Sequence, residues 1–228
     1  DIQSASYFAG HSLGEYSALA CSDVINFNDT LKLLKLRGNA MQNAVPKKEG
    51  GMVAVLGLEI NELKDIIESN KDKFNCFLAN DNSNGQVVIS GRIKDLEKLI
   101  DKLKNLNIKN VKLPVSAPFH CPLMEPATTV MREKILETKF SEPRNLIVSN
   151  VTATPTNNTD EIKKLLIDQI EKPVLWRESI VNMISSGSQT FIEIGPGKVL
   201  SGLLKRIDRN VKIIQVNNVE DLTNFKNF

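Results

Sequence analysis

Histidine is nearly absent from this sequence: only two occur in 228 residues, His11 and His120. So few imidazoles cannot build a histidine-rich metal centre. The three cysteines, Cys21, Cys76 and Cys121, are odd in number and widely spaced, which fits neither a disulfide framework nor a cysteine-based zinc site. No metal is expected, and the thiols read as reduced cysteines of an intracellular protein. A dominant charge is missing too: 29 basic residues face 27 acidic ones, for a formal net charge of +2. No basic stretch is interleaved with aromatics, so nucleic acid is not an expected partner. Apolar runs are too short to cross a bilayer and no signal-peptide pattern opens the chain. No membrane association is expected, and the location is read as cytoplasmic, with an organellar one left open. What remains is ordinary globular composition, 41% hydrophobic and 25% charged, enough for a large domain or a domain with a smaller insert.

Strand and helix signals alternate along the chain. A short buried strand at 6–9 leads to a helix at 13–21 and a second at 29–44, with Asn28 or Asp29 as N-cap. Pro46 and Gly50-Gly51 read as a break. Then come strand 52–58, helix 60–73, strand 74–80, the turn-rich DNSNG, strand 86–91, helix 93–107 and strand 109–116. This β-α-β-β-α-β order is that of a ferredoxin-like unit, giving a small subdomain at 48–113. The flanking parts, 1–47 and 114–228, form a larger α/β body. Its later elements are helix 124–137, strand 146–151, helices 161–170 and 178–185, strand 190–195, helix 198–206 and strand 211–216. The predicted class is α/β, with a mostly parallel, hydrolase-like sheet carrying helices on both faces.

Three residues carry chemistry. Ser12 lies in GHSLG, a G-x-S-x-G pattern at a strand-to-helix turn, the setting of a nucleophile elbow. Bulky residues on either side of so sharp a turn are expected to clash. Near the helix N-terminus the Leu13 amide can help hold an oxyanion. The alternative is a small residue at a tight turn. A serine nucleophile needs a base; His11 adjoins Ser12 on the same turn and is expected to pack beside it, which leaves His120, in VSAPFHCPLM. Its alternative is a structural loop histidine. The third residue is Arg37, in line with Leu33 and Met41 on the apolar arc of the second helix. A guanidinium facing the core needs an anion: a structural acid, or the carboxylate of a substrate gripped bidentately.

GHSLGEYSAL, KLRGNAMQ, ANDNSNGQVVISG, VSAPFHCPLM and FIEIGPGKVLSGL, taken together, closely resemble malonyl-CoA:acyl carrier protein transacylases. Related acyltransferase domains of fatty acid and polyketide synthases are similar but fit less well. The resemblance implies a ping-pong transfer of malonyl from malonyl-CoA to the phosphopantetheine thiol of acyl carrier protein in fatty acid synthesis. It makes Ser12 the nucleophile, His120 the base and then the acid, and Arg37 the grip on the malonyl carboxylate. It also implies that the Gln169 backbone carbonyl orients His120 and that Asn80 faces the site. Phe119 departs from the pattern, since standalone bacterial enzymes often carry Ser there; in the synthase acyltransferase domains a Phe at this place excludes a methyl branch. His11, Phe119 and Asn80 join Arg37 as substrate-binding candidates. No cofactor is implied, since the CoA thioester is a substrate. The family opens with a strand and an FPGQG-type loop that supplies a second oxyanion-hole amide; nothing here matches it, and an N-terminal part of the fold is expected to precede Asp1. GPGKVLSG lacks the glycine and hydroxyl positions of a Walker A loop and reads as a glycine corner. The lysines of helices 60–73 and 93–107 read mostly as a solvated face; they, or Lys198, Lys205 and Arg206, are a minor option for meeting the carrier or CoA phosphates. Two rivals stand beside the transferase: a serine hydrolase or thioesterase, and a catalytically idle interaction module.

Overall fold

The computed structural model describes residues 4–225. β1 (Tyr7–Phe8) leads into α1 (Leu13–Cys21) and then α2 (Phe27–Asn43). α2 starts two residues earlier than its apolar periodicity predicts. Its N-cap is Asn26, not Asn28 or Asp29, with Oδ1 accepting from the Asp29 amide at 2.9 Å. Phe27 is 70% exposed, so burial gives the first turn no signature. Tyr16 and Leu19 of α1 and Leu33 and Met41 of α2 pack on Met131 and Ile135 of α5 (Glu125–Glu137) and on Leu166 of α6 (Thr159–Asp168).

Between α2 and α5 the chain builds a separate layer. Its elements are β2 (Gly50–Leu56), α3 (Ile60–Glu68), β3 (Cys76–Ser83), β4 (Gln86–Arg92), α4 (Ile93–Asn105) and β5 (Lys109–Lys112). The four strands pair antiparallel in the order β3-β4-β2-β5. The two helices cover one face through Leu63, Leu96, Leu99 and Leu103.

Several boundaries differ from the sequence expectation. Gly50 and Gly51 do not break the chain but open β2, paired with Arg92 and Gly91. A Cβ on Gly50 would stand 2.3 Å from Pro118 Cδ, so glycine permits the segment carrying His120 to cross close to the sheet. β5 stops at Lys112 rather than 116, short of Pro114, which has no ladder donor. α3 stops at Glu68 rather than 73. β3 runs on through Asp81, Asn82 and Ser83, expected as a turn, because these polar residues face protein instead of water. The Asp81 amide donates to Val174 O (2.9 Å) and the Val174 amide to Ala79 O (2.8 Å). Only Asn84-Gly85 turns, with Gly85 at φ 65°.

The remaining elements are β6 (Leu146–Val148), β7 (Pro155–Thr156), α7 (Trp176–Ser185), β8 (Thr190–Ile194), α8 (Val199–Ile207), β9 (Lys212–Val216) and α9 (Val219–Phe225). β1 pairs parallel with β6, and β8 with β9. β7, absent from the sequence expectation like α9, pairs antiparallel with β6. The architecture is a mixed α/β fold. Gly195 (φ 133°) and Gly197 (φ 101°) turn the β8–α8 corner, and Glu193 accepts from the Leu200 and Ser201 amides at 3.0 and 2.9 Å. That carboxylate at a helix N-terminus occupies the place a bound phosphate would need.

Candidate active site

Ser12 sits between β1 and α1 with φ 53° and ψ −103°, a conformation a non-glycine residue adopts only when its surroundings impose it. Asn150, just beyond β6, does so: its Oδ1 accepts from the Ser12 amide (2.7 Å) and its Nδ2 donates to Gly10 O (2.8 Å). A Cβ on Gly10 would lie 2.0 Å from the Gly14 carbonyl, whereas one on Gly14 meets nothing within 4 Å. The steric demand expected of both glycines therefore falls on Gly10 alone. In the first turn the Gly14 amide bonds His11 O and the Glu15 amide bonds Ser12 O. Leu13, at N1, has no intrahelical acceptor for its amide.

The segment before α5 carries His120, buried and at φ 57°. Its Nδ1 lies 2.8 Å from the Gln169 backbone oxygen. A carbonyl only accepts, so Nδ1 holds the proton and Nε2 is bare. That bare nitrogen is 2.7 Å from Ser12 Oγ and accepts the hydroxyl proton. Burial, reinforced by the positive Arg37, pulls the His120 pKa down to about 3, so the ring is a neutral base at neutral pH. Gln169 is fully buried at the C-cap of α6.

Arg37 is 7% exposed and lies between the buried Leu33 and Met41. Its Nη2 donates to Ser12 Oγ (2.9 Å) and to Gln169 Oε1 (2.9 Å). The guanidinium stands 5.6 Å from the centre of the Tyr16 ring. Among the described residues no carboxylate forms an ion pair with it. The nearby acid is Glu15, whose Oε2 accepts from Gln169 Nε2 (2.7 Å) and the Asn150 amide (3.2 Å). Burial pushes Glu15 up to about 7.

Sequence reasoning singled out neither Glu15 nor Asn150. Glu15 directly follows the serine motif, where an acid in the first turn of a helix reads as dipole compensation; only its burial marks it. His11 leans on Trp176, ring centres 5.7 Å apart, and its Nε2 is 2.8 Å from Asn82 Oδ1. Asn80 is buried and bridges to Val174 through its backbone; the β3 side chain that meets the elbow is Asn82. Phe119 packs between the large core and the inner face of the four-stranded sheet. Arg177 of α7 grips the buried Asp81 with Nε at 2.9 and 3.1 Å from its two oxygens, tying β3 to α7. Arg206, by contrast, is engaged with Gln86 Oε1 at 2.6 Å.

Competing nucleophiles are weak. Burial pushes the Cys76 thiol up to about 12 and Cys121 to about 11, far from the thiolate that reacts. No group of metal-binding side chains occurs among the described residues. No described helix is long and apolar enough to cross a membrane.

Residues 3–222 match the model of the acyl transferase domain family. The chain belongs to this family. The acyl transferase is 41% identical over 218 residues to the malonyl CoA-acyl carrier protein transacylase of Bacillus subtilis (strain 168), covering 95% of this chain and 69% of that one. Its structure is similar to the acyl-carrier-protein-S-malonyltransferase of Bartonella henselae, with a TM-score of 0.95 and 38% identity over 100% of this chain and 73% of that one. It is also similar to a malonyl-transacylase solved in complex with its type II PKS acyl-carrier protein, with a TM-score of 0.92, 36% identity and 98% and 73% coverage.

Two buried groups of this acyl transferase give opposite pH dependences. His120 is lowered from 6.5 to about 3, so its contribution is present above pH 6.5 and lost as pH falls toward 3; the lowered His11 acts in the same sense. Glu15 is raised from 4.5 to about 7, so its contribution is present below pH 4.5 and lost as pH rises through 7. Between about pH 4.5 and 6.5 the slopes oppose. Glu15→Gln removes one of them, and its stability should fall more steeply with acid across that window, by up to about 1.4 kcal/mol per pH unit. Urea midpoints at half-unit pH steps measure this; parallel profiles for the two proteins would contradict it.

Proposed function

We propose that this protein transfers malonyl from malonyl-CoA to the phosphopantetheine thiol of an acyl carrier protein, through a malonyl ester on Ser12. The observation that carries the reading is Arg37, a buried guanidinium with no carboxylate partner among the described residues, whose Nη2 is 2.9 Å from the Ser12 hydroxyl. Of acyl groups entering the site, one with a free carboxylate at its far end meets a fixed positive charge beside the nucleophile.

In the first half-reaction the Ser12 proton moves to His120 Nε2 as Oγ attacks the thioester carbonyl. The Leu13 amide donates to the oxyanion. The tetrahedral centre collapses, the C–S bond breaks, and His120 returns the proton to the CoA sulfur. Malonyl remains as an ester on Ser12 with its carboxylate on Arg37. The carrier thiol then gives its proton to His120, its sulfur attacks the ester, and Ser12 recovers the proton as it leaves. The Gln169 carbonyl holds the imidazole in the required tautomer throughout and stabilises its charged form. Phe119, His11 and Asn80 line the acyl side, Phe119 leaving no room for a methyl branch. The serine carries the acyl group, so the chemistry asks for no cofactor.

The strand order β3-β4-β2-β5 supports reading 48–113 as a ferredoxin-like subdomain. The parallel pairs β1–β6 and β8–β9 support a mostly parallel, hydrolase-like body from 1–47 and 114–228. Free cysteines at 21, 76 and 121 support a cytoplasmic setting. The carrier protein as acceptor is supported by the similarity to the malonyl-transacylase solved with its own carrier. Brief mixing with malonyl-CoA, followed by intact mass and peptide mapping, tests the proposal. A malonyl adduct on Ser12 that a holo-carrier thiol discharges is the expected result. CoA release without an acceptor would mean a hydrolase, and no adduct with no CoA release would return Ser12 to a turn residue.

A further inference from the structure

Gln169 faces three ways. Its backbone oxygen meets His120, its Oε1 accepts from Arg37 Nη2, and its Nε2 donates both to Ser12 O (3.0 Å) and to Glu15 Oε2 (2.7 Å). A primary amide turned over by half a rotation would set its NH2 against the guanidinium, donor to donor, and its oxygen against Glu15 and the Ser12 carbonyl, acceptor to acceptor. Glu15 is 2% exposed and touches neither the Ser12 hydroxyl nor the imidazole. The oxygen that receives the Gln169 amide also receives the backbone amide of Asn150, the residue whose side chain clasps both ends of the serine turn. A buried carboxylate is costly unless it is hydrogen-bonded, and the two donors on Glu15 are the Gln169 side chain and the Asn150 amide.

We infer that Glu15 is a positioning residue: by anchoring the Gln169 side-chain amide it keeps Oε1 turned toward Arg37 and so holds the guanidinium beside Ser12. The inference rests on the malonyl-transfer reading, in which Arg37 receives the substrate carboxylate. It separates two functions of Gln169. The backbone serves the base, and the side chain, set by Glu15, serves the carboxylate grip. Loss of Glu15 should therefore appear mainly in KM for malonyl-CoA, not in kcat.

The test combines Glu15→Met, which removes the acceptor at similar length, Glu15→Gln, which keeps one, and Gln169→Ala, which deletes the side chain but keeps the carbonyl facing His120. Glu15→Met should raise KM for malonyl-CoA about tenfold with kcat changed less than about threefold, and Glu15→Gln should restore KM to within about threefold of the parent. In a Gln169→Ala background Glu15→Met should add less than about twofold, because its route is already gone. Full additivity in that background, or a fall in kcat and unfolding midpoint with KM unchanged, would overturn the inference. Should Glu15→Met not fold, Glu15→Asp, which withdraws the acceptor by one methylene, takes its place with the same expected KM rise. Failure of the parent protein to form a malonyl-Ser12 adduct would sink the transfer reading itself; a normal adduct with indifferent Glu15 variants would sink only the role of Glu15.

Discussion

His120→Ala should slow acylation of Ser12 by malonyl-CoA roughly 10⁴-fold. The imidazole Nε2 at 2.7 Å is the acceptor for the serine proton. The other group on that hydroxyl, Arg37 Nη2, is a donor and cannot replace it. Without a base the nucleophile is a neutral alcohol. The substitution also leaves the buried Gln169 carbonyl without a donor, which should cost about 1–3 kcal/mol of stability; unfolding midpoints keep that loss apart from the kinetic one. Quenched-flow mass measurement of the Ser12 adduct reads the rate. A loss below tenfold would show that the proton leaves by another route, and the role assigned to His120 would fall.

The second large effect is a change of specificity. Arg37→Met keeps the volume on the α2 stripe and removes the charge. Loss of a desolvated, charge-assisted contact to the malonyl carboxylate should lower kcat/KM for malonyl-CoA about 10²–10³-fold, equivalent to about 3–4 kcal/mol. Acetyl-CoA has no carboxylate to lose, so its kcat/KM should fall far less. Folding stability should change little: the Gln169 Oε1 loses its donor, and that loss is offset by removal of a buried cation that has no ion-pair partner among the described residues. Parallel acylation assays with the two thioesters measure the ratio. Equal losses for both would mean that Arg37 acts on Ser12 or Gln169 alone and grips no carboxylate.

How far the sequence led depended on the range of each signal. The serine turn was readable because a strand, glycines at 10 and 14 and a helix adjoin one another. His120 followed from scarcity, there being only two histidines to choose between. Arg37 was visible as a charge out of phase with its helix. Glu15 was not visible, because its character comes from Asn150 and Gln169, more than 130 residues away. The polar run Asp81–Ser83 read as a turn because composition cannot tell a side chain buried against a distant segment from one facing water.

Local sequence alone thus determined the order of strands and helices apart from β7 and α9, the elbow at Ser12 and the buried charge on α2, since each depends on neighbours within a few residues. Tertiary structure decided the rest. It fixed the His120 tautomer through the Gln169 carbonyl, brought Arg37 onto the serine oxygen, and assembled the Glu15–Gln169–Asn150 bonds beneath the turn. Those contacts join residues from five separate segments, and their worth comes from removing water between groups that only the folded chain brings together.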